Sequence, residues 1–282
     1  MRFALTAIDR YLGLCETLLD AGWTWLRLFT PPESTGGAFP NAAIMALARK
    51  AAVPIQHSPI LESDFQELSA AHCDALIVAS YNHRIGQWRP YLPYAVNFHP
   101  SPLPLGRGPY PLVRAIRDRH PHWGISCHQL SEQYDRGDVL DQELFDLDAR
   151  ETHESLDLKI QMAARRLGAR VANGFEVLWT NAQPQVDAEW WPLWTATERA
   201  IDFSQTVAVI DCQIRAFGLH GTIARLQGYT LRVTRAHTWI EAHGRRPGSV
   251  AHAYGKTLVV AATDGYVALT DWTPEAIDGL RN

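Results

Sequence analysis

Two side chains suited to acyl transfer, Asn97 and His99, lie two residues apart at the end of an apolar run. On a strand, side chains with this spacing point to the same face. An amide N–H can stabilise a developing oxyanion, and an imidazole can either take up a proton as a base or stabilise the oxyanion as an imidazolium. A carboxylate arriving from another loop would orient or charge the imidazole. Together these residue types predict acyl-transfer chemistry.

Plainer interpretations of the same side chains stay open. An isolated Asn-x-His at a strand end more often makes structural hydrogen bonds. Asp135 lies in an Asp-Arg-Gly-Asp stretch, a composition typical of a turn. His128 suits either the support of a site or packing in the core. Trp190, Trp191 and Trp194 would stack on a ligand or, more often, pin two domains together.

The elements that must position these residues alternate between strands and helices. Apolar runs at residues 3–8, 75–79 and 95–98 predict buried strands. A long helix follows, with one apolar face at Leu156, Ile160, Ala163, Ala164, Leu167, Val171 and Leu178. This alternation predicts an α/β fold with a Rossmann-like, doubly wound, mostly parallel sheet. Ligands of such sheets bind at the carboxyl ends of the strands, where Asn97 falls.

The composition changes after residue 180. Residues 181–197 are polar, with Trp and Pro, and predict a linker. From about residue 198 the chain turns to short strands and tight turns, with Asp264-Gly265 between two apolar runs. We therefore predict a catalytic domain at residues 1–180 and a small β-barrel domain at residues 198–282.

Charge and composition exclude several classes of protein. The formal net charge is −4, so the whole chain lacks the basic balance of proteins that grip nucleic acid. The start of the chain lacks the pattern of a signal peptide, and no run is long enough to span a membrane. The cysteines show neither a CxxC pair nor metal-ligand spacing. These features predict a cytoplasmic protein without a metal site.

The motifs around these residues resemble a known family. Asn97-x-His-x-Ser-x-Leu-Pro, then Gly-Arg-Gly at 106–108, is similar to the signature of the 10-formyltetrahydrofolate-dependent formyltransferases. So is Gly124, followed eleven residues later by Asp135. The tail, at residues 198–203 and 214–217, resembles the OB-like C-terminal domain of the two-domain, methionyl-tRNA formyltransferase-like members. The resemblance covers nearly the whole chain.

The resemblance implies roles for individual residues. Asn97, His99 and Asp135 take the catalytic positions, and Leu103-Pro104 is expected to be a cis peptide. Contacts to the co-substrate, 10-formyltetrahydrofolate, fall on Tyr81, Asn82, His83, Arg84, Ile85, Gln133, Tyr134 and Asp135. Contacts to the acceptor fall on Ser101, Gly106, Arg107 and Gly108. At Asn82-His83-Arg84 the sequence is more polar than in the tRNA enzymes.

The family divides by acceptor. From Pro184 onward nine Lys and Arg face ten Asp and Glu, and residues 31–37 lack basic side chains, which disfavours tRNA as a partner. We therefore expect a small-molecule amine, either a nucleotide-linked amino sugar or an amino-acid-derived metabolite. The main alternative is methionyl-tRNA; a 10-formyltetrahydrofolate hydrolase or a non-catalytic folate-binding module is less expected. Neither DNA nor a membrane is an expected partner.

Overall fold

Short apolar runs buried on both faces form the middle of the central sheet, as is typical of strands covered by helices. The computed structural model describes residues 1–33, 40–187 and 189–275. Seven strands follow in chain order: β1 (Arg2–Thr6), β2 (Thr24–Phe29), β3 (Ile55–Gln56), β4 (Ala75–Val78), β5 (Tyr94–His99), β6 (His122–Gln129) and β7 (Val139–Asp146). Their order in the sheet is β3-β2-β1-β4-β5-β6-β7.

The strand directions divide this sheet. Pairing is parallel from β3 through β5, and β6 and β7 are antiparallel to their neighbours. The helices that join these strands and follow them are α1 (Leu12–Asp20), α2 (Ala42–Lys50), α3 (Glu62–Ala70), α4 (Pro111–Arg117) and α5 (His153–Thr180). The apolar face predicted for α5 is buried from Leu156 to Val171. The predicted doubly wound, mostly parallel sheet is confirmed.

A second sheet occupies the C-terminal part of the chain. Its five strands are β8 (Thr222–Leu226), β9 (Tyr229–Ile240), β10 (Val250–Tyr254), β11 (Thr257–Ala261) and β12 (Gly265–Pro274). All pairs are antiparallel, in the order β10-β11-β12-β9-β8, and in the described residues no ladder joins β8 to β10. Helices α6 (Ala196–Arg199) and α7 (Val207–Phe217) precede the sheet. Ile210 and Ile214 of α7 belong to its apolar core.

Contacts divide the chain into two compact units. The first contains Met1–Pro111, His122–Asp146 and Asp157–Trp191; the second contains Leu112–Pro121, Leu147–Leu156 and the chain from Pro192 onward. Two short internal segments are therefore grouped with the C-terminal sheet. The predicted domains, each a single continuous stretch of chain, do not include such segments. The division at residues 180 and 198 stays a prediction. No helix in the described ranges combines the length and apolar character needed to cross a bilayer.

Candidate active site

The last residues of β5 place an amide and an imidazole at the carboxyl end of the parallel strands. Asn97 is half-buried and His99 is 6% exposed. Asn97 Nδ2 lies 3.3 Å from Asp135 Oδ1, and His99 Nδ1 lies 3.4 Å from the same oxygen. One carboxylate oxygen therefore faces both side chains. The structure brings the three residues predicted as catalytic into a single cluster.

Asp135 reaches the cluster from the loop after β6. Its backbone adopts the left-handed region, with φ of 55°, which non-glycine residues seldom occupy. The N–H of Gly108 donates to Asp135 Oδ2 at 2.9 Å. Burial alone would raise the pKa of Asp135, but His99, His128 and the Gly108 N–H together hold that pKa well below its usual range. The carboxylate is therefore ionised at neutral pH.

Both nitrogens of His99 face acceptors. Nε2 lies 2.9 Å from the carbonyl oxygen of Gly106, and Nδ1 faces Asp135. Burial lowers the pKa of His99 below its ordinary value; Asp135 and the Gly106 carbonyl oppose this shift, and His128 adds to it. The net direction is downward, which favours the neutral form of the ring. A neutral imidazole beside an ionised carboxylate is poised to accept a proton.

We predict that the imidazole of His99 titrates below the ordinary histidine pKa. Because Asp135 stabilises the imidazolium, Asp135→Asn should move the titration further down. Unfolding restores an ordinary pKa, so this group stabilises the fold above the unfolded pKa of about 6.5 and loses that contribution as pH falls through the window below it. NMR titration of the His99 ring in both proteins is the measurement. A midpoint above 6.5, or a rise in Asp135→Asn, would contradict the assigned electrostatics.

His128 holds the amide of Asn97 in place. The two residues are cross-strand partners of β5 and β6, so their side chains share a face. His128 Nδ1 lies 2.9 Å from the carbonyl oxygen of Gln129, which fixes the proton on Nδ1. Nε2 faces two groups: in the neutral ring it accepts from Asn97 Nδ2 at 3.1 Å, and it lies 3.7 Å from Asp135 Oδ1. Of the two interpretations left open by the sequence, the geometry favours support of the site.

Removing the His128 imidazole, which accepts a hydrogen bond from Asn97, should slow turnover without weakening the binding of the amine substrate. We expect His128→Leu to lower kcat by roughly fivefold, the effect of one hydrogen bond of about 1 kcal/mol. His128→Gln, whose amide oxygen extends to the position of Nε2, should recover much of the loss. Steady-state kinetics with both variants provide the check. Equal kcat in the Leu and Gln variants would leave His128 with a packing role alone.

The loop after β4 carries five of the residues predicted to contact the co-substrate. Tyr81 and Ile85 are half-buried against the apolar core, and the Tyr81 hydroxyl accepts from the Ile60 N–H at 2.7 Å. Three further residues are exposed: Asn82, His83 and Arg84. In the described part of the chain no hydrogen bond or ion pair joins this loop to the Asn97–His99–Asp135 cluster. It follows a strand that neighbours β5, so it ends at the same edge of the sheet.

The residues predicted to contact the acceptor instead shape the loop around the cluster. Ser101 is fully buried, and a side chain at Gly106 would crowd its Cβ at 3.1 Å. Gly106 and Gly108 act through their backbones, which bond to His99 and Asp135. The Leu103-Pro104 peptide is cis, as the resemblance implied. The direct contacts of Ser101 and both glycines are thus with the protein itself.

Arg107 is buried, although arginines in loops are usually solvated. It is 4% exposed, and its Nε donates to Gln185 Oε1 at 3.0 Å. Gln185 Nε2 in turn donates to the carbonyl oxygens of Asp135 and Gly137. Gln185 thereby connects Arg107 to the loop that carries Asp135. Nothing in the sequence marks it, since a single glutamine in a polar stretch has no periodic pattern.

The tryptophans of residues 190–194 have different surroundings. Trp191 is buried and stacks on Trp123, with ring centroids 5.9 Å apart. Trp194 packs edge-on against Phe217. Trp190 remains 47% exposed, and its ring centroid lies 6.4 Å from that of Tyr134.

Within the described ranges no group of His, Cys, Asp and Glu is arranged to hold a metal ion.

Comparison with known proteins identifies the chain. A model described as "Formyl transferase" matches residues 45–171, and "Formyl transferase, C-terminal domain" matches residues 194–278. Methionyl-tRNA formyltransferase of Pseudothermotoga lettingae is 25% identical over 261 residues, covering 90% of this chain and 85% of that protein. Methionyl-tRNA formyltransferase of Methylibium petroleiphilum is 29% identical over 283 residues, covering 94% and 89%.

Solved structures share the fold. HypX from Aquifex aeolicus, in complex with tetrahydrofolic acid, has a TM-score of 0.70 at 20% identity, covering 98% of this chain and 44% of HypX. An N-formyltransferase from Helicobacter canadensis, with folinic acid and dTDP-3-aminofucose, has a TM-score of 0.66 at 13% identity, covering 96% and 99%. This chain belongs to the formyl transferase family, in its two-domain form, and is a formyl-transfer enzyme.

Proposed function

We propose that this enzyme is an N-formyltransferase that moves the formyl group of 10-formyltetrahydrofolate to the primary amine of a small-molecule acceptor. The observation that carries the proposal is the cluster of Asn97, His99 and Asp135, in which Asn97 and His99 both face one carboxylate oxygen of Asp135. An amide donor, a neutral imidazole and an ionised carboxylate are the groups required by a reaction with an oxyanionic tetrahedral intermediate.

The reaction follows from these positions. The unprotonated amine of the acceptor attacks the formyl carbon, and the carbonyl electrons move to oxygen. One N–H of Asn97 turns to this oxyanion, exchanging its 3.3 Å contact with Asp135. His99 accepts the amine proton, and Asp135 stabilises the imidazolium that forms. The carbon–nitrogen bond to the folate then breaks, and the proton passes to its N10, leaving tetrahydrofolate and the formylated amine.

The proposed co-substrate is a folate, and its proposed contacts lie at the carboxyl ends of the parallel strands. HypX and the Helicobacter canadensis enzyme are described with tetrahydrofolic acid and folinic acid, respectively. In this chain the loop at residues 81–85 and the pair Gln133 and Tyr134 are the proposed folate contacts. Each segment is connected to the cluster. The loop follows β4, which pairs with β5, and Tyr134 directly precedes Asp135 in the sequence. Formyl transfer through these residues needs no metal.

Two acceptors are candidates. The nearly neutral charge of the chain after Pro184 supports a small-molecule acceptor. Relatives from several bacteria, however, carry the name methionyl-tRNA formyltransferase. The expectation that tRNA is disfavoured therefore lacks support from the comparisons. Methionyl-tRNA is the second candidate. Asn97 separates both from a hydrolase that lacks this amide, and the complete cluster separates both from a non-catalytic folate-binding module.

An acceptor screen tests the proposal. The protein is incubated with 10-formyltetrahydrofolate and one amine at a time, including nucleotide-linked amino sugars, amino-acid-derived amines and charged initiator tRNA. Release of tetrahydrofolate and mass spectrometry of the acceptor are followed together. Formylation of a small amine supports the first candidate. Efficient formylation of charged initiator tRNA alone would replace it with the second.

A further inference from the structure

A cavity of about 470 Å³ opens beside the loop that carries Asp135. We name it the arginine cavity; it is lined by Arg107, Gln133, Tyr134, Arg136 and Trp190. Several residues that line the cavity are neighbours in sequence of the residues that form the active site. Tyr134 and Arg136 flank Asp135, and Arg107 precedes Gly108, whose N–H donates to the Asp135 carboxylate. A ligand in this cavity therefore lies next to the reacting groups.

The cavity brings together two positively charged groups, Arg107 and Arg136. No carboxylate in the described part of the chain lies within ion-pair distance of Arg107 or Arg136; the side-chain acceptors they have are the neutral amides of Gln185 and Gln133. Burial lowers the pKa of Arg107, and the neighbouring guanidinium of Arg136 lowers it further, while the Asp135 carboxylate opposes the shift. An anion between them would relieve this repulsion, and guanidinium groups bind phosphate and carboxylate through paired hydrogen bonds.

Two aromatic rings form the other wall. The rings of Tyr134 and Trp190 are 6.4 Å apart and tilted by 41°, and both side chains are largely exposed. Trp190 packs against Gly108, where a Cβ would come within 3.4 Å of its ring and 2.2 Å of the Trp191 carbonyl oxygen. The clash with the Trp191 carbonyl oxygen is what requires glycine at position 108, and it keeps the backbone beside Trp190 close to the loop. Exposed aromatic side chains beside a cavity offer stacking surfaces to a planar ligand.

We infer that the arginine cavity is a subsite for an anionic group attached to a planar ring, contributed by one of the two substrates. This inference rests on the proposed function. Two sources share the chemistry. One is a nucleoside diphosphate on the acceptor, with its base and phosphates; the other is the aminobenzoyl-glutamate tail of the folate, with its ring and carboxylates.

Equilibrium binding to the whole protein separates the sources. The probes are dTDP, 5-formyltetrahydrofolate and 5-formyltetrahydropteroate, which lacks the glutamate. The expected result is that Arg136→Gln weakens one anionic probe by roughly tenfold, as for a hydrogen bond to a charged group. Tyr134→Ala should weaken the same probe more than Tyr134→Phe does. The affinity should also fall with salt, because the contact is ionic.

The matched control is Arg150→Gln, which removes the same charge at an exposed position outside the cavity. Loss confined to dTDP assigns the cavity to the acceptor. Loss for 5-formyltetrahydrofolate but not for the pteroate assigns it to the folate tail. If Arg136→Gln binds all three probes as tightly as the wild type, the inference is wrong. Formyl transfer by the wild-type protein is measured separately, so failure of the proposed function is distinguishable from failure of the cavity.

Discussion

Replacing His99 by alanine should lower kcat by roughly 10²- to 10⁴-fold, the usual contribution of a positioned acid–base group. Asn97→Ala should cost about 10²- to 10³-fold, as expected for an oxyanion donor. Both side chains act after the substrates are bound, so KM for the folate should change far less than kcat. Steady-state kinetics with the identified acceptor measure both quantities.

The control for these variants is His122→Ala, because His122 is exposed at the start of β6. Its kcat should match the wild type. Circular dichroism and Tm for all three variants establish that the fold is intact, which matters because His99 is buried. If Asn97→Ala or His99→Ala kept near wild-type kcat, the catalytic assignment would be wrong.

A methyl group at Gly137 should disable the enzyme by moving Asp135. A Cβ at this position would lie 1.7 Å from the carbonyl oxygen of Gln129, closer than any contact allows. The loop must shift, and Asp135 lies two residues away in a left-handed conformation that depends on its neighbours. We expect Gly137→Ala to lose about 1–3 kcal/mol of unfolding free energy, as overpacked sites do. We also expect a kcat close to that of Asp135→Asn.

A double variant tests whether the effect runs through Asp135. If Gly137→Ala acts by displacing that carboxylate, then adding it to Asp135→Asn should lower kcat little further, since coupled sites are not additive. Gly244→Ala serves as the matched control, because a Cβ there meets nothing within 4 Å. Full activity in Gly137→Ala, or effects that multiply in the double variant, would contradict this role for the loop.

The sheet, the long helix and the neighbouring positions of Asn97 and His99 follow from the sequence. Periodicity reports burial directly, so the apolar face of α5 is predicted without tertiary information. Two residues of one strand keep their relative direction in any fold that contains the strand. The arrival of Asp135 beside them has no such local basis and came from the resemblance alone.

Other parts of the site depend on long-range geometry. The Gly106 carbonyl and the Gly108 N–H act through backbone atoms, whose direction no side chain reveals. The role of His128 requires the register of β5 against β6, which pairs it with Asn97. Gln185 bonds to the Asp135 loop from a segment predicted only as linker. Register and loop closure are set by the whole fold, so these partners were not predictable.

The most direct test of formyl transfer is the mass of the acceptor after incubation with 10-formyltetrahydrofolate and the wild-type enzyme. We predict an added formyl group on a primary amine of a small molecule, in step with tetrahydrofolate release, and neither product with His99→Ala. Tetrahydrofolate release with water as the only acceptor would contradict the account, as would transfer that His99→Ala leaves unchanged.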